Sequence, residues 1–262
     1  MKKKIIFPIL LLLCLFLIKK SDLFSTKSTG KIPGSYKALE LFSYIRAYPE
    51  KDIPDHGYAE AFDYQQKHLA KMSFLKSENE WEAMGPENTA GRTLTITANP
   101  QDENTIYAGS ASGGLWRSRS LGLGDSWEYI NTGFPVLGVS TIAFPEQDSS
   151  VMYIGTGEVY NYLNAGTDGA FRSTRGSYGI GILKSLDGGQ TWEKSLDWSY
   201  NQKHGVWMIK VAPSNPNIVY AATTDGVYKS INAGASWDQV SAIIMGTDID
   251  IDPRDPKKVV AS

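Results

Sequence analysis

A carboxylate set among hydroxyls can act as a general acid, a general base or a metal ligand, and SLDGGQTW (185–192) holds such a group in Asp187. Ser185, Gly189, Thr191 and Trp192 surround it, and a near copy, SINAGASW (230–237), puts Ser230, Asn232, Gly234, Ser236 and Trp237 at the matching places. Glycoside hydrolysis needs a second carboxyl group about 5–10 Å away, and neither stretch supplies one. Asparagine does not replace a catalytic aspartate, but it does replace one that folds back onto its own backbone amides in an Asx-turn. The glycines accept backbone angles that other residues resist, and the tryptophan has a large ring to bury. The recurring aspartate is therefore expected to pin a turn and to do no chemistry.

A second set lies in GEVYNYLNAGTDGAFRSTRGSYGIG (157–181), which carries Glu158, Tyr160, Tyr162, Asp168, Arg172, Arg175 and Tyr178. Rigid tyrosines among Gly and Ser suit sugar stacking or peptide recognition, and long loops on rigid scaffolds commonly carry binding. The competing reading is that this loop packs on a neighbouring sheet or on the N-terminal helices. Two oxygen-bearing residues, Glu158 and Asp168, are too few for a calcium site. His56, His68 and His204 are scattered and read as surface or packing histidines. The glycine cluster at 176–181 lacks the lysine and the strand–helix setting of a phosphate loop. The one cysteine, Cys14, falls in an N-terminal apolar run, so thiol catalysis and cysteine-ligated metals are excluded from the body of the chain. No metal, no cofactor and no catalytic residue is expected.

The elements that would hold these residues repeat. TITANPQDENTIYAGSASGGLWRS (95–118) aligns with IKVAPSNPNIVYAATTDGVYKS (209–230). STIAFPEQDSSVMYIGTGE (140–158) supplies the first half again, and TDIDIDPRDPKKVVAS (247–262) begins it once more. The turn prolines are Pro100, Pro145, Pro213 and Pro253, followed by strand positions Tyr107, Tyr153, Tyr220 and Val260. Trp81, Trp127, Trp192 and Trp237 end the units at a period of roughly 45 residues, with one interval lengthened by about 20. Short alternating runs between Gly, Asn, Asp and Pro indicate an all-β protein. The expectation is a β-propeller of four-stranded blades over 81–262, because one such sheet cannot bury both faces alone. WEAMG (81–85) reads as the last strand of a blade whose other strands come from the far end of the ring. Three units and a part of a fourth cannot close, so the chain reads as the N-terminal part of a longer protein whose remaining blades complete the ring.

Ahead of the repeats, KKK at 2–4 and the apolar run 5–18 have the order of an export signal and are short for a membrane span. Residues 1–25 are read as a signal peptide or an uncleaved anchor, the chain's one expected contact with a membrane, and 26–36 as a linker. Residues 37–80 are read as two short amphipathic helices, the second with a stripe of Ala61, Phe62, Gln65, Leu69 and Met72. The net charge of −2 becomes −6 once the five Lys and one Asp of 1–25 are set aside, which argues against a nucleic-acid partner. The expected location is secreted or associated with the cell envelope.

SLDGGQTW resembles the Asp-box of the BNR repeats in sialidases, sortilin-type receptors and xyloglucan-cleaving glycosidases. The run from GPENTAGRTLTITANP through YAGSASGGLWRS, YIGTGE and GILKSLDGGQTW is similar to secreted bacterial Asp-box propellers labelled sortilin-like or glycosyl hydrolase-like. The resemblance covers 81–262 and the preceding helices. It implies the fold, and it leaves open a non-catalytic binder of protein or glycan ligands and a glycoside hydrolase with carboxylates partly outside this chain. A sialidase would need an arginine triad, a Tyr–Glu pair and an acid Asp. Arg92, Arg117, Arg172 and Arg175 are present, but GRTL (91–94) only echoes the usual start, and Tyr153 and Tyr220 sit at core strand positions. Xyloglucan-cleaving relatives carry a segment like YARTDIGG with a catalytic Asp; here YAGSASGG (107–114) has Ala111 at that place. An alanine cannot accept a proton.

Overall fold

The computed structural model describes residues 56–72, 91–124, 126–135, 138–159, 178–201, 204–243 and 245–262, together with Leu41, Ile45, Tyr48 and Pro49. The expected signal, the linker, WEAMG and the centre of the 157–181 loop lie outside the described residues.

Helix α1 (Gly57–Met72) precedes the strands. Its covered side begins at Ala59, buried, and Phe62, half-buried, one helical turn apart, whereas Ala61 and Gln65 of the expected stripe are exposed. The hydroxyl of Tyr200 donates to Asp63 of this helix at 3.2 Å.

The first sheet holds β1 (Thr93–Asn99), β2 (Asp102–Ser110), β3 (Leu115–Ser118) and β4 (Trp127–Ile130). The second holds β5 (Val139–Ala143), β6 (Met152–Thr156), β7 (Gly181–Ser185) and β8 (Glu193–Asp197). The third holds β9 (Val206–Ala212), β10 (Asn215–Thr223), β11 (Gly226–Ser230) and β12 (Asp238–Ser241), and β13 (Ile249–Ile251) pairs with β14 (Val259–Ala261). Each sheet is an antiparallel meander in chain order. Matching registers recur: Thr97 faces Tyr107, Ala143 faces Tyr153, Lys210 faces Tyr220 and Asp250 faces Val260.

The first strands β1, β5, β9 and β13 lie side by side, which is the blade arrangement of a β-propeller. Burial follows from that arrangement. Each hydrophobic core is an interface between consecutive blades, with alternate residues of one strand serving opposite neighbours. Met152 and Ile154 join Tyr107, Leu115 and Ile130 of the first blade. Tyr153 and Ile182 join Val206, Val219 and Ala221 of the third. Tyr220, Ala222 and Val227 meet Ile249 and Ile251 of the fourth. The second blade, covered on both sides, has every residue of β5 and β6 buried. Burial of each large side chain here stabilises the fold by about 1.5–3 kcal/mol. Threonine and serine on the first strands add polar links: Thr97 donates to the carbonyl of Ile142 at 3.3 Å, and Ile209 N–H donates to the Thr141 hydroxyl at 3.2 Å.

Candidate functional site

The corner after the third strand has one geometry in all three complete blades. Ser118, Ser185 and Ser230 each accept, on Oγ, the backbone N–H four residues on, from Gly122, Gly189 and Gly234 at 2.8, 2.9 and 2.8 Å. The preceding residues Leu121, Gly188 and Ala233 all have positive φ, as do the three glycines. Asp187 Oδ1 accepts from Gln190 N–H at 2.9 Å and Thr191 N–H at 2.8 Å, and Ser185 donates to it at 2.8 Å. Thr191 Oγ1 donates to Oδ2 at 2.5 Å. Held this way, chiefly by the Thr191 hydroxyl, the Asp187 carboxyl is pulled from an ordinary 3.8 down to about 2. A carboxylate so stabilised is a poor proton carrier near neutrality. Asn232 repeats the scheme, accepting from Ser236 N–H at 2.9 Å and donating to Ser236 Oγ at 2.8 Å. In the first blade Ser120 stands at the aspartate's place. Trp192 is half-buried against the first interface and Trp237 against the second, with indole N–H groups bonded to Gly189 O and Ser195 Oγ.

The long loop leaves β6 and returns to β7 at the opposite ends of these sheets. Tyr160, Tyr162, Asp168, Arg172 and Arg175 lie outside the described residues; Glu158 and Tyr178, at the two stems, are described. Val159 and Ile180 are fully buried, so both stems are anchored in the core. A Cβ on Gly179 would lie 2.4 Å from the carbonyl of Thr156, and one on Gly205 would lie 3.1 Å from Val159. The backbone of 204–205 thus lies against both stems. Glu158 does not face outward: its carboxylate is 3% exposed and takes a two-pronged bond from the Arg92 guanidinium, whose side chain stays 56% exposed. Arg92 lies just ahead of β1, and its carbonyl accepts the N–H of Ala111 at 2.9 Å. Ala111 is therefore bonded to a residue that the second blade grips through Glu158. The Tyr178 hydroxyl is shut off from solvent.

A pair that the sequence does not announce lies beside those stems. His204 Nδ1 faces the Asp225 carboxylate, with both side chains mostly buried. The imidazole sits 5.2 Å from the Trp198 ring, whose other neighbour is the edge of Tyr228 at 5.6 Å. His204 lies two residues ahead of β9 and Asp225 two residues past the Val206–Thr223 pair, and the bonds between Gly205 and Thr224 carry the β9–β10 ladder on to this pair at one end of the third blade. A lone histidine and the aspartate of a hairpin turn carry no pattern that links them, and the register of β9 against β10 does so.

Two other concavities avoid these stems. A cavity of about 630 Å³ runs along the first strands past Thr97, Thr141, Met208 and Lys210. A polar cleft of about 390 Å³ lies between the first two corners, lined by Arg117, Arg119, Asp148 and Asp187. In it Arg117 bonds Glu128 at 2.5 Å and holds that carboxyl below its ordinary range. Among the described residues no cluster of three or more metal-ligating side chains occurs, and no helix is long and apolar enough to cross a membrane.

The described blades have the arrangement of a β-propeller. No family profile matches the chain. A xyloglucanase of Hypocrea jecorina is 26% identical over 173 residues, covering 61% of this chain and 19% of that enzyme, so the chain spans about a fifth of this curated relative. Among solved structures, an ancestral GH74 enzyme aligns with a TM-score of 0.47 at 22% identity, over 63% of this chain and 21% of that one. YCF48 bound to D1 peptide aligns with a TM-score of 0.42 at 18% identity, over 68% and 48%.

Proposed function

We propose that this chain is the scaffold of an exported, non-catalytic propeller that binds a protein or glycan ligand through the face carrying the 157–181 loop. The observation that supports it is the anchoring of that loop: Val159 and Ile180 are fully buried, so the segment between them starts from a fixed base. On this reading Tyr160, Tyr162, Asp168, Arg172 and Arg175 touch the ligand, and Glu158 acts from inside through Arg92. The corners built on Ser185, Asp187, Ser230 and Asn232 are Asp-boxes that serve folding. The N-terminal basic and apolar run supports export.

A glycoside hydrolase is the second reading, favoured by the 26% identity to a xyloglucanase. Against it stand Ala111 at the carboxylate position and the engagement of Glu158 and Asp187 in internal bonds. Glycan-array binding and hydrolysis assays on the whole chain, with xyloglucan among the substrates, separate the two. Binding without turnover, weakened about tenfold by Tyr160→Ala or Tyr162→Ala, is expected, since an aromatic contact contributes on the order of 1–2 kcal/mol. Turnover abolished by replacing a single carboxylate would establish the hydrolase instead.

A further inference from the structure

The cavity of about 630 Å³ along the first strands holds opposite charges that do not meet. Thr97, Ala143, Lys210 and Asp250 line it from matching places, each facing the recurring second-strand residue of its own blade. The first two are neutral, as a lining that serves only the fold would be. Lys210 and Asp250 are a cation and an anion, both exposed, on the neighbouring strands β9 and β13. Asp250 Oδ1 accepts the N–H of Ile251 at 3.1 Å, and Oδ2 is not engaged. Among the described residues Lys210 bonds to nothing, and neither side chain joins an ion pair. The long lysine stem leaves its ammonium free to turn towards a ligand. Glu146, on the turn after β5, is the one other charged residue of the lining and adds to its negative side. Hydrocarbon lies close by in Ile96, 66% exposed, and Met208.

A cavity of this size lies in the usual range for small-molecule sites, where a few placed polar groups set orientation among apolar walls. Lys210 alone would attract an anion and Asp250 alone a cation. Together they select a molecule that carries both charges a few bonds apart, and the apolar walls select one with a hydrocarbon branch. We propose that this cavity binds an apolar α-amino acid as its zwitterion. The carboxylate accepts from the Lys210 ammonium, the amino acid's own ammonium donates to Asp250, and its side chain lies against Ile96 and Met208. Charge-assisted bonds of this kind are stronger than neutral ones. The site goes beyond the proposed use of the loop face, since none of Val159, Tyr178 and Ile180 lines this cavity.

NMR titration of the whole chain with L-leucine tests the assignment. The comparisons are N-acetyl-L-leucine, which lacks the ammonium, and L-leucinamide, which lacks the carboxylate. L-leucine is expected to bind about tenfold tighter than either, with shifts at the Ile96 and Met208 methyls. Lys210→Met should bind L-leucine and L-leucinamide alike, because the group that reads the carboxylate is gone. Asp250→Asn should bind L-leucine and N-acetyl-L-leucine alike while keeping the acceptor for Ile251. Both side chains are exposed, so neither replacement removes core packing; if one still fails to fold, the order of the three ligands and the methyl shifts of the unaltered chain decide. Tyr160→Ala should leave L-leucine binding unchanged. No saturable binding of L-leucine, equal binding of all three ligands, silent Ile96 and Met208 methyls, or loss of L-leucine binding in Tyr160→Ala would each overturn the proposal.

Discussion

The hydroxyl of Tyr153, on the second strand of one blade, donates to the carbonyl of Ala233 in the next blade's corner at 2.8 Å. A core tyrosine thereby fixes a backbone turn in a different sheet. Ser195 reinforces the same junction by donating to Gly234 O at 2.6 Å and accepting from the Trp237 indole at 3.0 Å. The corresponding Tyr220 reaches Pro256 O at 2.9 Å in the fourth blade. Between the first and second blades, Arg117, the cross-strand partner of Tyr107, approaches Gly188 O at 3.5 Å. The corners are thus docking points between sheets as well as turns within them.

Tyr153→Phe is expected to cost about 1 kcal/mol at neutral pH, the usual net value of one such bond. Burial, with a smaller contribution from Glu193, pushes the Tyr153 phenol up from 10.0 to about 12. The unfolded chain therefore ionises this group first, and stability declines as pH rises from about 10 towards 12. The loss reaches roughly 2–3 kcal/mol at the top of that window. Urea unfolding across pH 9–12 should show this decline in the unaltered chain and less of it in the phenylalanine variant.

At Asp187 the sign is opposite. Its folded value near 2 lies below the ordinary 3.8, so its stabilisation is complete above about 4 and disappears as pH falls through 2. Asp187→Asn, which copies the arrangement at Asn232, should be tolerated better than Asp187→Ala, which removes the acceptor for two amides and two hydroxyls. Thermal unfolding of both variants between pH 2 and 7 checks the order. Equal midpoints at neutral pH would contradict it.

The corner glycines separate backbone from side-chain effects. Gly234 has φ +82°, and a Cβ there would lie 2.6 Å from Ser195 Oγ and 3.0 Å from the Tyr153 ring. Gly234→Ala should destabilise by about 2–4 kcal/mol through combined strain and overpacking. Leu121 occupies φ 57° in an exposed corner. Leu121→Gly should stabilise by about 0.5–1 kcal/mol, since the relief of left-handed strain exceeds the added freedom of the unfolded chain. Denaturant midpoints measure both.

Arg92→Met removes the two-pronged partner of the buried Glu158 carboxylate and is expected to cost about 3 kcal/mol. Glu158→Gln retains a hydrogen-bond acceptor for the guanidinium and should cost about half as much. A double variant that costs less than the sum of the two would show the coupling expected of residues in direct contact.

Much of the fold was legible because it repeats. The turn prolines, the strand tyrosines and the SxDxGxTW pattern recur at one phase, and a four-stranded meander is the unit that matches their spacing. The serine at the head of each corner was legible for the same reason, since Ser118, Ser185 and Ser230 share one local bonding scheme. The α1 stripe was misplaced at Ala61 because sequence spacing defines a helical face without saying which neighbour will cover it. Glu158 was legible as a notable carboxylate in a long loop, but its inward orientation depends on Arg92, which comes from a different blade.

By itself, then, the sequence determined the local events: where strands run, where the chain turns, and that Asp187 and Asn232 can each close a corner with atoms only a few residues away. Tertiary structure decided everything that needs two blades at once. The burial of both faces of β5 and β6, the grip of Glu158 on Arg92 and the reach of Tyr153 to Ala233 all arise from sheets stacked side by side. The reason is one of range: turn hydrogen bonds are satisfied within a few residues, while apolar faces and buried charges find partners only when distant strands are brought together.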